Sequence, residues 1–298
     1  VLKSSSFPSI DYSVIENITF LNNHKHELFV QRDDLIHDVI SGNKWRKLKR
    51  VFDIIKEDCL VGIETFGGAF SNHLLATACA ANIHGVQCNL YVRGEELTPE
   101  SNDVLLFCQS MGARIEFLER SEYKKAKSSY GITDRGFFSV PEGGACKEGL
   151  LGVMEMGKNL EPYDVVALAQ GTTTTSLGLL LSTSEKTNIW VFPALNGFSS
   201  LGEMELLAKN CGFLYQFKQQ RARIRVMDGY TFGGYAKGTQ ELLNELKKEP
   251  YTMPFPLDSV YTGKAFLGFM REAQKINQVQ RMLFIHTGGY SLKQLSLG

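Results

Sequence analysis

The chain has 298 residues, 43% of them hydrophobic and 21% charged, enough to bury two domains or one large α/β domain. Its 32 Lys and Arg balance its 32 Asp and Glu with no basic block, which excludes an electrostatic case for nucleic acid or an anionic membrane as partner. No apolar run can cross a bilayer, Val1-Leu2-Lys3-Ser4-Ser5-Ser6 has no signal-peptide core, and the six cysteines contain no Cys-x-x-Cys pair, so reduced thiols and a cytoplasmic setting are expected.

Taken in order, residues 28–31 read as a short strand that ends in Arg32-Asp33-Asp34. Leu48, Val51, Phe52 and Ile55 mark one face of a helix over 46–55. Strands and helices then alternate. A strand over 61–65 precedes a helix over 71–84, and one over 87–92 precedes a helix over about 99–111. A strand over 114–118 leads to a polar helix around 121–129, and a strand over 137–140 follows. Gly85, Gly112 and Gly131 fall where helix C-caps are expected. After the turn Pro141-Glu142-Gly143-Gly144 a second series begins, with strands over 164–168, 189–192, 223–226 and 282–285. Its helices cover 150–158, 177–181, 202–209 and 238–247. The charged stretch 219–225 reads as a solvated strand edge. Such alternation predicts parallel strands joined by crossover helices. No repeat, linker or low-complexity segment stands out.

Several chemistries are missing. No two of the 28 glycines are two residues apart, so a Gly-x-Gly-x-x-Gly dinucleotide fingerprint is excluded, and no P-loop or Gly-x-Ser-x-Gly elbow occurs. The six histidines show no metal-ligand spacing. What remains is two strand-to-helix junctions. Thr65-Phe66-Gly67-Gly68-Ala69-Phe70-Ser71-Asn72-His73 places a glycine pair and two good N-caps between a strand and a helix, a setting for an anion. Gly171-Thr172-Thr173-Thr174-Thr175 does the same with four hydroxyls. From its residues alone it is equally a phosphate cradle or a threonine-rich cap. Lys44, in Ser41-Gly42-Asn43-Lys44-Trp45-Arg46-Lys47-Leu48, would on its own chemistry be a surface residue.

Together the Gly-Asn-Lys-x-Arg-Lys-Leu and Gly-Gly-x-x-Ser-Asn motifs resemble those of the 1-aminocyclopropane-1-carboxylate deaminase/D-cysteine desulfhydrase family. The resemblance implies a tryptophan synthase β-like α/β fold: two open, mostly parallel sheets flanked by helices. Residues 1–44 and 151–298 would form a large cofactor-binding domain and 45–150 a small inserted one. It also implies pyridoxal 5'-phosphate as cofactor, a small amino-acid substrate and a homodimer. Lys44 would carry the cofactor as a Schiff base, which needs an unprotonated amine, with Lys47 near the phosphate and Gly171, Thr172, Thr173, Thr174 and Thr175 around it. Ser71, Asn72 and His73 would hold the substrate carboxylate, Asn72 also reaching the cofactor's phenolic oxygen. Tyr235 and Tyr261 match active-site tyrosines, although without the resemblance both read as structural.

Thr262 and Thr287 stand where cyclopropane deaminases have Glu and Leu, beside the pyridine nitrogen whose partner tunes the ring. A neutral hydroxyl there is expected to suit loss of a β-leaving group. His73 in place of Gln points the same way. The expected reaction is therefore α,β-elimination from D-cysteine. Cyclopropane-carboxylate deamination is the alternative, and a non-catalytic cofactor-binding protein is the reading from another class.

Overall fold

The computed structural model describes residues 13–22, 25–234, 236–248, 251, 253 and 255–289. Among them the strands are β1 (Val14–Asn17), β2 (Glu27–Arg32), β3 (Gly62–Gly68), β4 (Gln87–Arg93), β5 (Arg114–Leu118), β6 (Gly131–Ile132), β7 (Phe137–Val140), β8 (Val165–Gln170), β9 (Asn188–Pro193), β10 (Ile224–Val226) and β11 (Arg281–Ile285). The helices are α1 (Asn43–Glu57), α2 (Asn72–His84), α3 (Asp103–Ser110), α4 (Arg120–Ala126), α5 (Lys147–Gly157), α6 (Thr174–Ser182), α7 (Ser200–Cys211), α8 (Leu214–Gln220), α9 (Thr239–Leu246) and α10 (Thr262–Gln274). They belong to two compact units, Ile36–Gly152 and Val153–Gly289 with residues 13–35. The sequence reading had set these borders after residue 44 and at 150. Here Lys44 falls with Ser71–His73, and the second border lies inside α5.

The first unit holds a five-stranded sheet in the order β5-β4-β3-β7-β6, parallel except for β6 against β7. Its central strand β3 is buried at six of seven residues, as a strand covered on both faces must be. Leu48, Val51, Phe52 and Ile55 of α1 pack with Leu74 and Ala78 of α2 and with Ile63, Leu90 and Val140 of the sheet. Each such leucine, isoleucine, valine or phenylalanine contributes about 1.5–3 kcal/mol by leaving water. The second unit holds a six-stranded sheet, β1-β2-β11-β8-β9-β10, antiparallel only between β1 and β2. Its β8 is buried throughout. Helix α10 packs on β8 and β9, closing a core of Phe266, Phe269, Phe284, Trp190 and Phe192. The fold is thus the expected one of two mostly parallel sheets with helices. No helix among the described residues is long and apolar enough to cross a membrane.

Several local expectations are corrected. The helix over 99–111 is broken at Asn102, whose extended backbone and side-chain bond to Leu105 N (3.0 Å) start α3 anew. Gly131 is no helix cap but a β6 residue at φ 102°. The charged stretch 219–225 is the end of α8 plus a 3-10 turn over Arg221–Arg223, and only Ile224–Val226 is strand. Arg223 there is no solvated edge residue: it donates to the carbonyls of Leu180, Ser184 and Thr187. Helices α8 and α10 and strands β1 and β6 had no counterpart in the sequence reading.

A close crossing sets α1 in place. A Cβ on Gly152 of α5 would lie 2.1 Å from the carbonyl oxygen of Arg46 in α1. Gly152→Ala must push the two helices apart, and it is expected to lower stability by roughly 1–3 kcal/mol, read as a fall in the urea midpoint at unchanged slope.

Candidate active site

Gly42 precedes α1 at φ 62° and ψ −139°, a region that only glycine enters without strain. The turn it makes delivers Lys44 as the second residue of α1, while Trp45 and Leu48 anchor the helix in the core. Lys44 is half-buried, and its Nζ donates to Asn43 Oδ1 at 2.6 Å. Lys47 is buried and donates to the Gly143 carbonyl at 2.9 Å. Burial first, and the charge of Lys44 second, hold the Lys47 ammonium well below the ordinary lysine range.

The glycine pair ends β3, and Ser71 starts α2. A Cβ on Gly67 would come within 2.7 Å of Leu74 Cγ, so the strand end and the first helical turn touch only because Gly67 lacks one. Ser71 Oγ accepts from His73 N at 3.2 Å and Leu74 N at 3.4 Å. These two helix-start donors are therefore satisfied internally. A ligand carboxylate here would meet the Ser71 hydroxyl proton and the half-buried Asn72.

His73 is buried, with Nε2 3.0 Å from Thr65 Oγ1. The Thr65 hydroxyl itself donates to the Val140 carbonyl at 2.8 Å. A hydroxyl has one proton, so Nε2 carries the imidazole hydrogen and Nδ1 is a bare lone pair. Nδ1 is buried and has no hydrogen-bond partner among the described residues. Burial, then Lys47 and Lys44, push the His73 pKa down to about 3, so the ring is neutral. Toward a ligand its side chain is an acceptor, and donation to a carboxylate falls to its neighbours. Gly144 at φ 74° closes the group: a Cβ there would lie 3.3 Å from Lys47 Cβ and 3.5 Å from His73 Cε1.

In the second unit β8 runs into Gly171 and Thr172, and α6 begins at Thr174, earlier than the sequence reading placed it. Thr173, Thr174 and Thr175 are buried. Unlike α2, α6 has no side-chain cap from its N-cap residue, Thr173. The loop is braced from behind: Gln170 Nε2 donates to Ser176 Oγ at 2.7 Å, Ser176 Oγ to the Thr173 carbonyl at 3.0 Å, and Ser200 Oγ to Gln170 Oε1 at 2.6 Å. A Cβ on Gly171 would lie 3.0 Å from Tyr261 Cε1, so the Tyr261 ring lies on this loop. A helix start that follows a buried strand and a glycine, and whose N-cap side chain makes no capping bond, fits an anionic phosphate.

Tyr261 and Thr262 open α10. Asp258 accepts their backbone N–H groups at 2.6 and 2.8 Å, and that of Val260 at 2.9 Å. Thr262 Oγ1 donates to Asp258 Oδ2. Thr287 follows β11, is buried, and has no hydrogen-bond partner among the described residues. Lys264 is buried and donates to the carbonyls of Thr231 and Gly234, both at 2.7 Å. It thereby holds the segment before Tyr235, which lies outside the described residues.

The expected residues thus fall into two groups. Lys44, Lys47, Ser71, Asn72 and His73 sit on two helix starts of the first unit. Gly171–Thr175, Tyr261, Thr262 and Thr287 belong to the second. Thr65, Gly144, Asp258 and Lys264 were assigned no role from sequence. Only Asp258 left a usable signal there, an acidic residue just ahead of a helix start.

No protein-family model matches the chain. A protein of Pyrococcus furiosus provisionally named 1-aminocyclopropane-1-carboxylate deaminase is 31% identical over 287 residues, spanning 89% of this chain and 85% of that one. The D-cysteine desulfhydrase of Yersinia pestis is 26% identical over 319 residues, spanning 96% and 95%. The crystal structure of an ACC deaminase homologue superposes with a TM-score of 0.79 at 26% identity, over 98% of this chain and 96% of that one.

The neutral His73 makes stability depend on pH. Below its ordinary value of 6.5 the unfolded chain takes up a proton that the folded one refuses down to about pH 3, so acid favours unfolding in that window by about 1.4 kcal/mol per pH unit. Between pH 7 and pH 5 His73 should cost roughly 2 kcal/mol. Urea unfolding of the unmodified chain and His73→Gln at both pH values measures it. The gap between the two proteins should shift by that amount toward the variant at pH 5, and an unchanged gap would count against a neutral, buried imidazole.

Proposed function

This chain belongs to the 1-aminocyclopropane-1-carboxylate deaminase/D-cysteine desulfhydrase family, and on that premise we propose that it is a pyridoxal-phosphate-dependent lyase acting on D-cysteine. Family membership makes it an enzyme of the tryptophan synthase β-like fold. The proposed reaction consumes water and yields pyruvate, ammonia and hydrogen sulfide.

The residues present fit the cofactor. The start of α6 behind Gly171, where the N-cap side chain makes no capping bond, suits its phosphate, and Thr287 is a buried residue that carries a hydroxyl. Lys44 is an amine at a half-buried helix start, within electrostatic reach of Lys47. When bound, the cofactor withdraws electrons from the substrate α-carbon. The chain's own residues do the rest. Lys44 would anchor the cofactor and, once displaced by the substrate amine, take the α-proton, with Tyr261 or Tyr235 as the other candidate base. The Ser71 hydroxyl and Asn72 amide would orient the carboxylate. The neutral His73 adds no positive charge there, and its Nδ1 would accept from a ligand N–H or O–H.

The observation that carries the choice of substrate is the pair Thr262 and Thr287. Both are hydroxyls where a deaminase would place Glu and Leu, and neither brings a carboxylate to the ring nitrogen. A ring so held is a moderate electron sink. That is enough when thiolate leaves the β-carbon with its electron pair, and less suited to opening an unactivated cyclopropane. The name of the Pyrococcus relative favours deamination as the second reading. A homodimer in the cytoplasm is the setting we propose, and light scattering of the purified protein tests the former.

Borohydride reduction of the cofactor-loaded protein should fix a pyridoxyl group on the peptide containing Lys44. A label on Lys47 instead would displace the assignment. D-Cysteine should give pyruvate and sulfide, with little 2-oxobutanoate from the cyclopropane acid. Thr262→Glu combined with Thr287→Leu should lower the elimination at least tenfold, about 1.4 kcal/mol of barrier. Faster turnover of the cyclopropane acid than of D-cysteine would favour the second reading.

A further inference from the structure

The two threonines are not equivalent. Asp258 accepts three backbone N–H groups, through Oδ1 from Val260 and Tyr261 and through Oδ2 from Thr262. Its carboxylate acts as an acceptor at both oxygens, so the contact of Thr262 Oγ1 with Asp258 Oδ2 carries the threonine's proton. The same Oγ1 accepts from the Asp258 N–H at 3.0 Å. A hydroxyl has one proton and two lone pairs. The proton and one lone pair of Thr262 are both committed to Asp258, and what remains can only accept. Thr287 has no such commitment among the described residues. Its loop nevertheless sits on the same carboxylate: Gly289, at φ 113°, comes so near that a Cβ would lie 2.5 Å from Asp258 Oδ2.

We propose that Asp258 is a positioning residue of the cofactor ring, fixing the Thr262 hydroxyl as an acceptor and leaving Thr287 as the sole hydroxyl donor of the pair toward the ring nitrogen. The inference rests on the chain binding pyridoxal phosphate. A donor hydroxyl stabilises an unprotonated ring nitrogen, whereas an acceptor stabilises a protonated one. The direction of one proton, set by a carboxylate that bonds its own helix start and lies against the passing loop, thereby tunes how strongly the ring withdraws electrons. The expectation from sequence treated the two threonines alike, as neutral hydroxyls. In Asp258→Asn the amide oxygen still accepts from Val260 and Tyr261, while the amide nitrogen donates to Thr262 Oγ1 and frees its proton.

The test is the 15N resonance of the ring nitrogen in protein reconstituted with 15N-labelled pyridoxal phosphate, a readout independent of turnover. Protonated, hydrogen-bonded and bare pyridine nitrogens resonate at separate positions. The unmodified protein and Thr262→Val should share one hydrogen-bonded, unprotonated signal. Thr287→Val should move it toward the bare position, and adding Asp258→Asn to Thr287→Val should move it back. The proposal is overturned if Thr262→Val shifts the signal as far as Thr287→Val does, or if the signal of the unmodified protein is that of a protonated nitrogen. It is overturned too if the folded double variant keeps the bare signal. The two valine variants leave Asp258 in place, so they decide the matter even if Asp258→Asn does not fold. Failure of the unmodified protein to retain the cofactor at all would instead remove the reading of function on which the proposal stands.

Discussion

The first turn of a helix leaves N–H groups that the helix itself cannot satisfy, and in this chain the candidate chemistry follows from how each is answered. At α2 the answer is Ser71, whose oxygen takes the N–H groups of His73 and Leu74. At α10 it is Asp258, which takes three. At α6 the N-cap residue makes no side-chain bond. The α6 start follows the C-terminal end of a fully buried parallel strand, where α/β sheets hold ligands.

The same accounting governs the buried cations. Lys47 and Lys264 are both 2% exposed, and each donates to backbone carbonyls. Burial lowers the affinity of both amines for a proton. For Lys264, whose lowering is partly countered by Asp258, the outcome is a tie across the 231–234 segment. For Lys47 the neighbouring Lys44 adds to the effect, so the first unit concentrates reluctant positive charge around a neutral imidazole.

Much of this was legible in the residues. Alternating strands and helices, the Ser71 cap, the glycine pair and the threonine-rich junction are local patterns, and local patterns survive being read one window at a time. The miss over α10 has a physical cause. Eleven of its residues are buried, the charged Lys264 and Glu272 among them, so charge does not mark its solvent side. Gly263 and Gly268 are poor helix formers: a Cβ on Gly263 would come within 2.7 Å of the Asp258 carbonyl oxygen, and one on Gly268 within 2.5 Å of the Phe192 ring. Arg223 misled for the opposite reason: a charged residue in a charged stretch reads as solvated until the carbonyls of Leu180, Ser184 and Thr187 converge on it.

The sequence by itself determined the alternation that yields two mostly parallel sheets, the two glycine- and threonine-rich junctions, and the lysine in the first turn of α1. Each depends on backbone preferences and side-chain spacing within a few residues. Only the tertiary structure decided the direction of the protons. Thr65 turns its own toward Val140 and so leaves His73 with a bare Nδ1. Thr262 gives its proton to Asp258, and Thr287 keeps its hydroxyl uncommitted among the described residues. Those choices rest on which acceptors meet once water is gone. In a low dielectric each buried proton goes to the partner the fold supplies: Thr65 and Val140 lie far apart in the chain, and Asp258 meets Thr262 only once the α10 start is folded.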